Sequence, residues 1–140
     1  MHWGPLTLAD LSILGAVVAY MAPIAIAKYG GGGSFDNSKP RDPGFYDDPF
    51  RARALWAHQN GLEGFAFFAA AVVVAQMRAA PQHIVDGLAL AYVALRFAYA
   101  ALYLAGIAPM RSAIWTLAFV VNVALLLSPR SRAAICIQYV

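Results

Sequence analysis

Cysteine is almost missing from this chain of 140 residues. Cys136 is the only one, which excludes a disulfide within the chain and a cysteine-based metal site. Charge is scarce too. Charged residues make up 12% and hydrophobic residues 61%, whereas soluble domains carry about 25% and roughly 45–50%, so the expected solvent is lipid. No Lys or Arg precedes Lys28, so the basic start of a secretory signal is missing and the first apolar segment is expected to be retained. The net charge of +3 does not come from a basic stripe interleaved with aromatics, which argues against a nucleic-acid partner. His58 has no second His or carboxylate at ligand spacing, so it is expected to pack rather than to hold a metal.

What the chain does have is apolar length. Four segments, approximately residues 6–27, 55–77, 84–107 and 110–127, approach the roughly 20 residues that an α-helix needs to cross a bilayer. The breaks carry helix-stop chemistry: Pro81 and Gln82, Gly106 and Pro109, then Ser128 and Pro129. The expected fold is all-α, a four-helix integral membrane bundle forming one domain over residues 1–140. The glycine run 30–33 lacks the Lys-Ser/Thr ending of a phosphate loop and reads as a hinge. Lys28, Lys39, Arg41, Arg51, Arg53 and Arg111 border one side of the bundle, while Arg78, Arg130 and Arg132 border the other. Six cations against three place the long first loop in the cytoplasm and both termini outside it.

Polar residues on three of these segments recur at steps of three and four, which puts each set on one helical face. The second segment carries Arg53, Trp56, Asn60, Glu63 and Phe67. The third carries Tyr92, Arg96, Tyr99 and Tyr103, and the fourth Arg111, Trp115 and Asn122 with Ser112 and Thr116 alongside. A charge at the bilayer centre costs about 2.5–3.5 kcal/mol on insertion scales, so Glu63 and Arg96 are expected to pair. Asp47 and Asp48 read as solvated loop charges balancing Arg51 and Arg53, and Phe65, Phe67 and Phe68 as lipid-facing or packing residues. A set so rich in donors and poor in acids suits an anionic ligand near the cytoplasmic interface.

Residues 53–63 (RALWAHQNGLE), then 96–103 (RFAYAALY), then Pro109-Met110-Arg111-Ser112 resemble the membrane-associated proteins in eicosanoid and glutathione metabolism, and a prokaryotic member in particular. The resemblance implies a homotrimer in the bilayer, at the bacterial inner membrane, with glutathione bound near the cytoplasmic face between subunits. It implies that Asn60 and Glu63 contact the glutathione backbone, that Tyr99 and Tyr103 line the pocket, and that Arg53 and Arg96 supply positive charge. Arg111 takes the position that holds the thiol as thiolate, with Ser112 beside it. Gln59 stands where prostaglandin E synthase-like members have arginine, and Trp115 where they have tyrosine. Tyr99 agrees with the leukotriene C synthase-like branch.

The implied activity is a membrane-bound thiol transferase or peroxidase acting on a lipophilic small molecule. The competing expectation is a non-catalytic accessory subunit or scaffold of a membrane complex.

Overall fold

A computed structural model describes residues 5–30 and 35–131. The glycines at 31–33, Arg132 and Cys136 lie outside the described residues. Four helices follow in order: α1 (Leu8–Tyr29), α2 (Pro49–Met77), α3 (Gln82–Ala105) and α4 (Ala108–Leu126), with a short 3-10 turn at Pro43–Tyr46 before α2. All four are long and apolar enough to cross a membrane. The chain is an integral membrane four-helix bundle.

The helices begin where local chemistry satisfies their first N–H groups. Thr7 and Asp10 form a capping box at α1, and the Ala9 N–H donates to Asp86 Oδ1 of α3 at 2.8 Å. The start of α1 is thus fastened to its neighbour. Asp48 accepts from Phe50 N and Arg51 N, both at 3.0 Å, and Pro49 occupies the first turn. α2 therefore starts six residues before the apolar run that marks it in sequence. Asp48 is a helix cap, a role beyond the solvated loop charge expected of it, because its carboxylate takes N–H groups that would otherwise lack partners. At the other end of the site, Gly106 adopts φ 76, and its N–H and that of Ile107 close back on Tyr103 O and Leu102 O at 3.0 Å each. This left-handed C-terminal motif turns the chain within two residues and sets the direction of α4.

Lipid tails are as apolar as leucine, so helices in a membrane associate through close packing rather than through the hydrophobic effect. Small residues make that approach possible here. α1 turns Ala9, Ser12, Ala16, Ala19, Pro23 and Ala27 inward. At Gly61 of α2, a Cβ would collide with Tyr20 Cβ and stand 3.1 Å from Tyr20 Cα. α1 packs on α2 and α3, and α4 packs on α2 and α3 from the other side. Phe68 stacks on Tyr92 at 4.1 Å between centroids, and both are buried with Val72, Val85 and Leu125. Phe68 is a core residue.

Leu14, Val18, Met77 and Val120 are more than half exposed, as a lipid-facing surface requires.

Candidate functional site

The polar stripes of α2, α3 and α4 converge on one side of the bundle. Arg96 is 7% exposed, and its Nη2 donates to Asn60 Oδ1 at 3.1 Å. The same guanidinium lies over the Tyr99 ring, 4.5 Å from its centroid. Tyr99 meets Tyr103 edge-on at 5.5 Å, and the Arg111 guanidinium lies over the Tyr103 ring at 4.4 Å. A continuous chain of contacts, Asn60 to Arg96 to Tyr99 to Tyr103 to Arg111, thus leads from mid-helix α2 to the first turn of α4. Each cation rests on an aromatic face, an arrangement worth about 0.5–2 kcal/mol when desolvated.

Two cavities flank this chain. The outer one, about 400 Å³, is lined by Asn60, Tyr99, Tyr103, Arg111 and Ser112, with Trp115 and Thr116 completing it. The inner one, about 180 Å³, takes in Asn60, Glu63, Tyr92, Arg96 and Asn122. Asn60 and Trp115 line both, so the two spaces adjoin. Seven of the eight residues expected from sequence to form the site line one cavity or the other. Arg53 does not: its Nε donates to Leu104 O at 3.1 Å, which spends it on the carbonyl end of α3.

The expected pair of Glu63 and Arg96 does not form in the protomer. Among the described residues Glu63 has no ion pair or hydrogen bond, and Arg96 takes Asn60 instead. The physical reason lies in the helix: Asn60 and Glu63 are one turn apart on the same face, and the neutral amide satisfies the guanidinium without burying a second charge. Glu63 stands 14 residues from either end of α2 and is exposed on the isolated protomer.

Ser112 Oγ donates to Ala108 O at 3.2 Å, so its proton is spent on the helix and its oxygen is left as an acceptor. Thr116 Oγ1 does the same to Ser112 O at 3.0 Å. Arg111 is therefore the strongest donor on the outer wall, held in place by Tyr103 and by the turn at Gly106.

Five lining residues, Phe67, Tyr92, Trp115, Thr116 and Asn122, belong to these stripes without having been singled out as site residues. Their register on the stripes is the signal that places them. His58 lies off the stripe, its Nδ1 2.8 Å from Tyr20 O, and fastens α2 to α1 as a packing histidine. Among the described residues no three His, Cys, Asp or Glu side chains gather as a metal site would require.

No curated protein and no solved structure matches the chain. The model of the family described as MAPEG matches residues 6–130, which include all four helices and every residue of both cavities, and the chain belongs to the MAPEG family.

Proposed function

We propose that the outer cavity binds glutathione or a similar thiol, holds it as thiolate beside Arg111, and delivers it to a lipophilic electrophile or peroxide arriving from the bilayer. The observation that carries this reading is the fixed Arg111 guanidinium on the wall of a cavity of about 400 Å³ that Asn60, Tyr99 and Ser112 also line. A thiolate is the nucleophile and a thiol is not, and a neighbouring guanidinium lowers the thiol pKa. Family membership supports the thiol chemistry, and the open polar wall supports an anionic guest.

In the transferase reaction the thiolate sulfur attacks the electrophilic carbon. With a halogenated nitrobenzene a C–S bond forms, the C–halogen bond breaks, and halide leaves with the electron pair while the thiol proton passes to water. With a hydroperoxide, two thiols are oxidised to a disulfide and the peroxide is reduced to an alcohol and water. In both cases Arg111 acts on the attacking sulfur. Ser112 lends a neutral contact, Tyr99 and Tyr103 wall the pocket, and Asn60 and Glu63 take the amide and amino groups of the peptide. Arg96 braces Asn60, and Arg53, bonded to Leu104 O and lining neither cavity, adds positive charge at that end of the bundle.

We also propose that the working unit is a homotrimer in a bacterial inner membrane, with the site open to the cytoplasm. Glu63 supports this: an outward-facing carboxylate at the middle of a spanning helix costs about 2.5–3.5 kcal/mol against lipid, and a neighbouring subunit or a bound peptide relieves that cost.

The test of thiol binding is thermal shift of the detergent-solubilised protein with glutathione. A ligand at 100 times its dissociation constant adds about 2.7 kcal/mol. Stabilisation by glutathione but not by its S-free analogue ophthalmate supports recognition of the thiol; no shift at millimolar glutathione contradicts the reading and favours a scaffold.

A further inference from the structure

A third cavity, of about 500 Å³, lies between the first loop and the start of α2 and shares no residue with the other two. Its size falls within the roughly 300–1,000 Å³ of small-molecule sites. Arg41, Tyr46 and Gln59 bring polar side chains to it, while Leu55 and Leu62 bring apolar ones. His58, tied to Tyr20 O at 2.8 Å, is a fixed part of the wall.

The polar groups are uncommitted. Among the described residues the side chains of Arg41, Tyr46 and Gln59 make no hydrogen bond and no ion pair. The neighbouring cations are engaged: Lys28 lies over the Phe35 ring at 4.5 Å, Arg51 over the Phe45 ring at 4.3 Å, and Arg53 donates to Leu104 O. Asp42, next to Arg41, accepts from Gly44 N instead. Burial pushes the Tyr46 hydroxyl pKa up, so it stays a neutral donor. One guanidinium beside two neutral donor side chains suits a monoanion with several acceptor oxygens.

Depth in the membrane fixes the rest of the guest. The 29 residues of α2 extend roughly 44 Å, about 14 Å more than the roughly 30 Å of a hydrocarbon core. Arg51 and Arg53 place that surplus at the start of the helix, so the hydrocarbon begins about nine residues in, near His58. Arg41 and Tyr46 thus stand at headgroup level, and Leu62, 44% exposed, stands at the level of the acyl chains. The rings of Tyr29, Phe35, Phe45 and Tyr46, each within 5.8 Å of the next, mark the same boundary, as aromatic belts do. A free anion would leave the leucines without a partner, and a hydrocarbon would leave Arg41 without one. An amphiphile meets both.

We propose that this cavity binds an anionic phospholipid, with its phosphodiester at Arg41 and Gln59 and one acyl chain along Leu55 and Leu62. The site stands apart from Arg111 and does not rest on the thiol reading of the outer cavity.

The test is native mass spectrometry of the full chain, delipidated in dodecyl maltoside and titrated with dioleoyl phosphatidylglycerol, dioleoyl phosphatidylcholine or glycerol phosphate. Phosphatidylglycerol is expected to bind saturably, one per chain, at a concentration roughly three- to ten-fold below that of phosphatidylcholine, the range of one part-exposed charged contact. Glycerol phosphate, the anion without its chains, is expected not to bind at the same concentrations. Arg41→Gln should erase the preference. Lys39→Gln, which removes the same charge from a side chain outside the cavity, should keep it.

Equal binding of the two lipids by the unmodified chain overturns the proposal. So does a preference that survives Arg41→Gln, or one that falls equally with Lys39→Gln and so reflects net charge alone. Glycerol phosphate binding as tightly as the lipid assigns the cavity to a free anion and overturns the proposal too. The comparison of lipids requires no substitution, so it stands even where a variant fails to fold. A glutathione thermal shift that persists where the lipid preference is absent removes the lipid site and spares the thiol reading; the opposite pattern does the reverse.

Discussion

Arg96 spends a hydrogen bond on Asn60, at 3.1 Å, while Glu63, one turn along the same face, takes none. Asn60→Leu should therefore strand a buried guanidinium and cost about 1.5–3 kcal/mol. Glu63→Gln should cost the detergent-solubilised protomer less. A double-mutant cycle of Asn60→Leu with Arg96→Met should show a coupling of about 0.5–3 kcal/mol. A larger coupling between Glu63 and Arg96 than between Asn60 and Arg96 would show that the acid is the true partner.

The crossing of α1 and α2 depends on a missing side chain. Gly61→Ala places a Cβ against the backbone of Tyr20, so the helices must separate at an expected cost of about 1–3 kcal/mol. Gly87→Ala meets nothing within 4 Å and should gain up to about 1 kcal/mol from helix propensity. Thermal melts of both variants check the contrast, and a Gly61→Ala protein as stable as the unmodified one would refute the close approach.

The sequence carried the spans and the site's side of each helix, because 3.6-residue periodicity is a local property. It did not carry the choice between Asn60 and Glu63 as the partner of Arg96, since two residues a turn apart on one face are equivalent until a rotamer and a depth are fixed. Nor did it show that Arg53 turns to Leu104 O. That contact depends on where Gly106 ends α3, and residue spacing on α2 says nothing of it. The early start of α2 was readable in Asp48-Pro49, a capping signal, but an apolar run alone passes over it.

The first loop has a titratable fastening of its own. Ser38 N donates to Asp36 Oδ1 at 2.8 Å, and bonding to the Ser38 hydroxyl first and its N–H second lowers the Asp36 pKa below the ordinary 3.8. The folded value lies below the unfolded one, so the contribution is complete above about pH 3.8 and is lost as pH falls through the folded pKa. Hydrogen exchange at the Ser38 amide should quicken below that window, and Asp36→Asn should remove the pH dependence. Exchange that stays flat with acid in the unmodified protein would show that the bond does not hold the loop.

The orientation rests on the six-to-three distribution of cations. A cysteine placed at Ser38, with Cys136→Ser, should resist a membrane-impermeant maleimide added to intact cells and react after lysis. Labelling from outside would invert the bundle.

Arg111 is assigned to making the bound thiol a nucleophile, and the ultraviolet thiolate absorbance of bound glutathione, read beside turnover of a chlorinated nitrobenzene, tests that most directly. Arg111→Ala should lose the thiolate signal and lower the rate by far more than it weakens glutathione binding, and Ser112→Ala, whose hydroxyl already serves Ala108 O, should change both only slightly. An Arg111→Ala protein with the same thiolate signal and the same rate as the unmodified one would contradict the account.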